Sequence, residues 1–119
     1  MPRVLESILG SRSAAQVLLY LEAYGSGYAN GMAKTFGVSV TAMYRQLRRL
    51  EDADVLVSRM VGNSRIFEFN PRNPTVRSLR RLLVEELDRL PESELREFYR
   101  ERRRPRRTGK SMKTAVANE

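Results

Sequence analysis

The run Phe36-Gly37-Val38-Ser39-Val40-Thr41-Ala42-Met43-Tyr44-Arg45-Gln46-Leu47-Arg48-Arg49-Leu50-Glu51-Asp52-Ala53 restricts the possible folds more than any other part of the chain. Gly37 can take the positive φ that a sharp turn requires. Ser39 offers a side-chain oxygen to the first amides of a helix. Met43, Leu47 and Leu50 then recur at i, i+4 and i+7, an apolar stripe of helical period. If that stripe is buried, Thr41, Tyr44, Arg45 and Arg48 fall on the opposite face. Ala33, four residues before the turn, is small enough to let two helices cross closely. The reading is a helix over about 30–36, a glycine turn, and a second helix over about 40–53: a helix-turn-helix.

The flanking pattern supplies the rest of a domain. A short helix over about 3–9 ends at Gly10, and Ser11 caps a second over roughly 12–24, whose Ala14, Val17, Leu18 and Leu21 face the core. Gly25-Ser26-Gly27 breaks it, and Asn30 is a possible cap for the third helix, which carries Met32, Ala33 and Phe36. After the fourth helix the period changes. Val55 to Val61 and Arg65 to Phe69 are β-rich runs separated by Gly62-Asn63-Ser64, a hairpin signal in which Phe67 and Phe69 point inward. Asn73 and Pro74 then read as the cap and first position of a fifth helix running to about Leu90, with Val76, Leu79, Leu83, Leu87 and Leu90 on one face. Pro91 interrupts it. A sixth helix over about 92–104 has Leu95, Phe98 and Tyr99 on one side, and nothing from Pro105 onward can bury a face, so disorder is expected there. Helices, then a hairpin, then a helix is the order of a mainly α winged helix-turn-helix with added C-terminal helices. The expected divisions are a winged helix-turn-helix over 1–74, C-terminal helices for core completion or dimerisation over 75–104, and a basic tail over 105–119.

Charge and composition exclude more than they select. At 119 residues there is room for one domain of ordinary size. The net charge of +8 points to polyanionic partners, but residues 1–95 hold 13 Lys/Arg against 11 Asp/Glu (net +2), while 96–119 hold 9 against 3 (net +6). The body is nearly neutral and the tail is basic. Arg100 to Lys110 can neutralise phosphates without reading sequence, or simply solubilise the chain. Without Cys or His there are no disulfides and no thiolate or imidazole chemistry, so neither a metal nor a cofactor is expected. Glu85, Glu86, Asp88, Glu92 and Glu94 read as helix surface and first-turn partners of the helix dipole, not as an acid/base pair, and no enzyme is expected. No run approaches a membrane span, and the N-terminus lacks a signal peptide's apolar stretch. The expected compartment is the cytoplasm.

The expected ligand is double-stranded DNA, with Ser39, Val40, Thr41, Tyr44, Arg45 and Arg48 on the recognition helix. Arg45 can be bidentate to guanine O6 and N7, Thr41 can bond a base or touch a thymine methyl, and Tyr44 can reach phosphate or base. From the wing, Arg59, Asn63, Ser64 and Arg65 can meet the backbone or a narrow minor groove. The competing description is an amphipathic helix with a solvated polar face beside a plain surface hairpin. Leu79, Leu82, Leu83 and Leu87 can form the two-fold seam of a homodimer, complete the core, or do both.

Ile8-Leu9-Gly10-Ser11-Arg12-Ser13-Ala14 with Val17-Leu18, then Gly37-Val38-Ser39, Leu47-Arg48-Arg49-Leu50-Glu51-Asp52-Ala53, Val61-Gly62-Asn63 and Phe69-Asn70-Pro71-Arg72-Asn73-Pro74, taken in that order, resemble the arsenic-repressor-like (ArsR-type) superfamily of bacterial and archaeal winged-helix regulators. The similarity covers about residues 5–90. It looks closest to the branch often fused or adjacent to a nucleotidyltransferase domain. The resemblance implies a dimeric repressor whose fourth helix enters the major groove through Ser39, Thr41, Tyr44, Arg45 and Arg48, with wing contact from Asn63 and Arg65. It does not carry metal sensing, whose Cys and His ligands are missing. Asp54 stands where such sequences usually have Gly, and Asp tolerates the left-handed conformation. The alternative is an adaptor that docks a separately encoded enzyme, such as a nucleotidyltransferase, with little DNA binding.

Overall fold

A computed structural model describes residues 3–99. The basic tail and the last third of the expected sixth helix lie outside the described residues. Six helices and one hairpin follow in the order α1 (Arg3–Leu9), α2 (Arg12–Tyr24), α3 (Ala29–Phe36), α4 (Val40–Asp52), β1 (Leu56–Val61), β2 (Ser64–Phe69), α5 (Pro74–Arg89) and α6 (Glu92–Phe98). The caps explain several of these boundaries. Ser11 Oγ accepts from the Ala14 amide at 3.1 Å, Ser39 Oγ from Ala42 at 3.0 Å, and Asn73 Oδ1 from Thr75 at 3.0 Å, with Pro74 at the first helical position. Each satisfies an amide that the first helical turn leaves without an internal partner. Asn30 does not cap α3. The helix starts one residue earlier, on an extended Tyr28 that makes no side-chain cap bond, and Asn30 lies exposed within its first turn.

The helix starts earlier because the segment before it is pinned. Gly27 exchanges two backbone hydrogen bonds with Phe67, its amide donating at 3.0 Å and its carbonyl accepting at 2.8 Å. Gly25-Ser26-Gly27 is therefore more than a helix breaker. It lays a one-residue third strand along the side of β2 away from β1. Side-chain room is absent there, since a Cβ on Gly27 would lie 2.7 Å from Tyr20 Cε1 and 2.9 Å from Met32 Cε. The hairpin itself is antiparallel, pairing Leu56 with Phe69 through to Val61 with Ser64. Ser64 thus belongs to the strand, and the tip is the two residues Gly62 and Asn63. Gly62 alone of the two has positive φ, the pattern of a type II′ turn.

Among the described residues a single hydrophobic cluster joins all these elements. α2 runs through its centre, buried along most of its length, with Met43, Leu47 and Leu50 of α4 on it. Leu56, Phe67 and Phe69 join from the hairpin, Val76, Leu83 and Leu87 from α5, and Leu95 and Tyr99 from the C-terminal end. Each large apolar side chain buried in this way contributes about 1.5–3 kcal/mol. Leu83 and Leu87 are fully buried in this chain's own core, so they are not surface available to a two-fold seam; Leu79 packs against the core half-buried, and Leu82 remains outside, 40% exposed. The buried carboxylate of Glu22 ties α2 to α5 through Arg80 Nε at 2.8 Å. After α4 the chain reverses at Asp54, in the left-handed region at φ 65°, as the residue type permits. Its carbonyl accepts from both Asn70 and Asn73 Nδ2, each at 3.1 Å, joining the base of the hairpin to the start of α5.

The fold is mainly α with a β-hairpin wing directly after the second helix of a helix-turn-helix. No helix among the described residues is long and apolar enough to cross a membrane. Because Tyr20 and Met32 both have to move to admit a methyl group, Gly27→Ala is expected to lower stability by about 1–3 kcal/mol in urea denaturation; an unchanged midpoint would contradict the close approach.

Candidate nucleic-acid interface

The turn between α3 and α4 closes on one acceptor. Gly37 sits at φ 67°, and its amide and that of Val38 both donate to the Ala33 carbonyl, the latter at 3.0 Å. This is a Schellman-type end, and it fixes where α4 begins. Burial of Met43, Leu47 and Leu50 then sets the rotation of α4 about its axis. Val40, Thr41, Tyr44, Arg45 and Arg48 consequently stand exposed on the outer face, with Ser39 exposed at its start. The Ser39 oxygen is engaged as the cap, while its hydroxyl hydrogen remains able to donate.

The wing is held against this face by Phe67. Its ring meets that of Tyr44 edge-on, with centroids 6.3 Å apart. Strand register decides which wing residues share that side. Ser58 and Met60 pair with Phe67 and Arg65, so Arg65 stands beside Tyr44; Val57, Arg59 and Val61 pair with Glu68, Ile66 and Ser64 on the other side. Arg59 and Arg65 therefore do not flank one surface, although both were expected at the interface. Arg59 points away and pairs with Glu68 at 3.8 Å. At the tip, where the strands end, Asn63 and Ser64 line the same depression as Arg65.

A polar chain connects Arg65 of the wing with Arg48 of α4. Arg65 donates to Ser58 Oγ at 3.0 Å, Ser58 donates to Glu51 Oε2 at 2.6 Å, and Glu51 Oε1 lies 3.4 Å from Arg48 Nε. Arg48 donates in turn to the Tyr44 hydroxyl at 3.4 Å, with its guanidinium carbon 6.0 Å from the ring centroid. That hydrogen bond is the main cause of a Tyr44 phenol held below its ordinary value, and the Arg65 charge adds to it. Arg45 differs. Among the described residues it is engaged in no hydrogen bond or ion pair, so its guanidinium is available to an incoming acceptor. Glu51, which orients two cations, was not foreseen: its i, i+3 spacing to Arg48 is visible in sequence, but its link to Ser58 depends on how the hairpin docks.

Two depressions shape the surface. One, of about 210 Å³, lies between the start of α3 and the wing tip, lined by Tyr28, Ala29, Asn30, Val40, Tyr44, Asn63, Ser64 and Arg65. The other, of about 500 Å³, runs along the turn past Asn30, Ala33, Lys34, Val38 and Val40. Neither lining contains an acid. Tyr28, Asn30 and Lys34 were missed by sequence reading. The i, i+4 spacing of Asn30 and Lys34, opposite buried Met32 and Ala33, could have indicated them. Among the described residues no three His, Cys, Asp or Glu side chains converge where a metal ion could sit.

No protein-family model matches the chain, and no curated protein matches it significantly. The hydrogen bond from Arg48 predicts a local titration. Arg48→Ala should raise the Tyr44 midpoint toward that of an ordinary phenol, read by ¹³C NMR of the tyrosine rings as pH rises. An unmoved midpoint would mean that the guanidinium does not act on the hydroxyl.

Proposed function

We propose that this protein is a sequence-specific, DNA-binding transcriptional regulator. The observation that carries the reading is the exposed face of α4. It presents Thr41, Tyr44, Arg45 and Arg48 between acid-free depressions that continue onto α3 and the wing tip. A B-form major groove is wide enough to admit one helix, and helices of this motif enter it by their N-terminal residues. In that pose Val40 and Thr41 approach base edges, and Arg45, free of internal partners, reads guanine. Arg48 and Arg65, tied through Glu51 and Ser58, serve as positioned phosphate contacts. Asn63 and Ser64 meet the sugar-phosphate backbone.

The resemblance to ArsR-type regulators supports a repressor acting as a homodimer in the cytoplasm, without a metal trigger. Surface apolar groups fit a protein partner, since Val4 and Ile8, one turn apart on α1, are 67% and 70% exposed, and Leu82 adds to them on α5. A second copy is the occupant this reading favours, because two half-sites double the contacts available to a small domain. The same exposed groups would serve an adaptor that docks a separately encoded enzyme.

Arg45→Ala separates these readings. In competition between cognate and random duplex, it should reduce discrimination by about 1–3 kcal/mol. Equal losses on both duplexes would make Arg45 a phosphate contact. A wild-type chain that prefers no duplex at all would leave the adaptor reading in its place.

A further inference from the structure

The last described residues pack behind the helix-turn-helix, against the residue that ends α3. Phe36 precedes the Gly37 turn, and its ring lies 5.3 Å from that of Phe98 and 6.0 Å from that of Tyr99, centroid to centroid. Tyr20, at 6.1 Å, backs it from α2. Tyr24, its ring tilted against that of Tyr20 at 4.3 Å, donates its hydroxyl to the Phe98 carbonyl at 3.0 Å. The aromatic rings thus form a continuous path from α6 through Phe36 to the turn. Aromatic pairs of this kind add attraction beyond the area they bury.

The same docking carries a cost. Tyr99 is 1% exposed, and among the described residues its hydroxyl has no hydrogen-bond partner. Burial pushes this phenol well above its ordinary value, and the nearby Glu94, Tyr24 and Glu6 push it in the same direction. A buried hydroxyl without a partner opposes the packing of the ring that carries it. α6 is also short, with seven residues, and it starts at Pro91 without the side-chain cap that α2, α4 and α5 possess. Ring packing and hydroxyl burial therefore oppose one another in the docking of α6.

We infer that Phe98 and Tyr99 are positioning residues for the DNA-reading helix, and that α6 is a latch: docked on Phe36 it fixes the crossing of α3 and α4, and released it lets the Gly37 turn relax. Anything that takes hold of α6 would then act on α4 without touching it. The functional half of this inference rests on the DNA-binding reading; the structural half does not.

Amide hydrogen exchange on the full chain tests the structural half. The reporters are Gly37 and Val38, whose amides share the Ala33 carbonyl, and Leu95 in α6 with Tyr99, whose amide caps its end. Phe98→Ala should speed exchange at both sets by about tenfold or more, with α2 and the hairpin unchanged. Tyr99→Phe keeps the ring and removes the unpartnered hydroxyl, so it should slow the same amides by about fivefold or more. It also decides the matter if Phe98→Ala fails to fold. Exchange at Gly37 and Val38 that ignores both variants, or that quickens in Tyr99→Phe, would overturn the latch. For the functional half, Phe98→Ala should weaken preference for the cognate duplex by about tenfold while leaving the salt dependence of binding unchanged, because no phosphate contact is removed. Unchanged preference with loosened exchange would overturn that half. A wild-type chain with no duplex preference would overturn the DNA reading itself, and the exchange results would still decide the latch.

Discussion

The packing of Phe67 is the constraint on which the proposed interface depends. Its side chain is fully buried, its backbone is bonded both ways to Gly27, its strand partner is Ser58, and its ring rests edge-on against Tyr44. A single residue therefore fixes the wing relative to the segment before α3 and to the outer face of α4. Burying such a ring stabilises the fold by about 1.5–3 kcal/mol, but its geometric consequence is larger. With Phe67 turned inward, the alternation of the strand places Arg65 beside Tyr44, and cross-strand pairing places Arg59 on the opposite side.

Much of this was legible in the sequence wherever local chemistry decides the outcome. The stripe of Met43, Leu47 and Leu50 set the rotation of α4, and Ser11, Ser39 and Asn73 marked helix starts; the left-handed turn at Asp54 was expected only through the family resemblance. A hairpin turning near Gly62 and inward Phe67 and Phe69 were also readable, because strand period and turn residues are short-range signals, although Ser64 belongs to the strand and not to the tip. Long-range packing was not readable. The pairing of Gly27 with Phe67 joins residues forty positions apart and leaves no local pattern. The placement of Arg59 and Arg65 on opposite faces follows from register, which the expected three-residue tip obscured. An apolar stripe on α5 shows that one face must be covered but not by what. The core covers Leu83 and Leu87, and Leu82 is left at the surface.

Electrostatics sharpens what the nearly neutral body can do. With no large basic field over residues 1–95, affinity for a polyanion has to come from a few side chains held in position. Glu51 is an economical means of doing that, since one carboxylate aligns Arg48 directly and Arg65 through Ser58. The pair becomes preorganised at the expense of some positive charge. Arg45, outside this network, keeps its donors for a new partner. The division matches the tasks proposed for them, with oriented arginines for the backbone and an unengaged one for a base edge.

The central claim is that α4 and the wing read DNA sequence. It is tested most directly by selecting bound duplexes from a random pool with the full-length protein at physiological salt. The account predicts enrichment of one short motif, containing a guanine within the stretch protected by α4 and repeated with two-fold symmetry if two copies bind together. Recovery of a pool no different from its input, with binding that depends on salt alone, would contradict it.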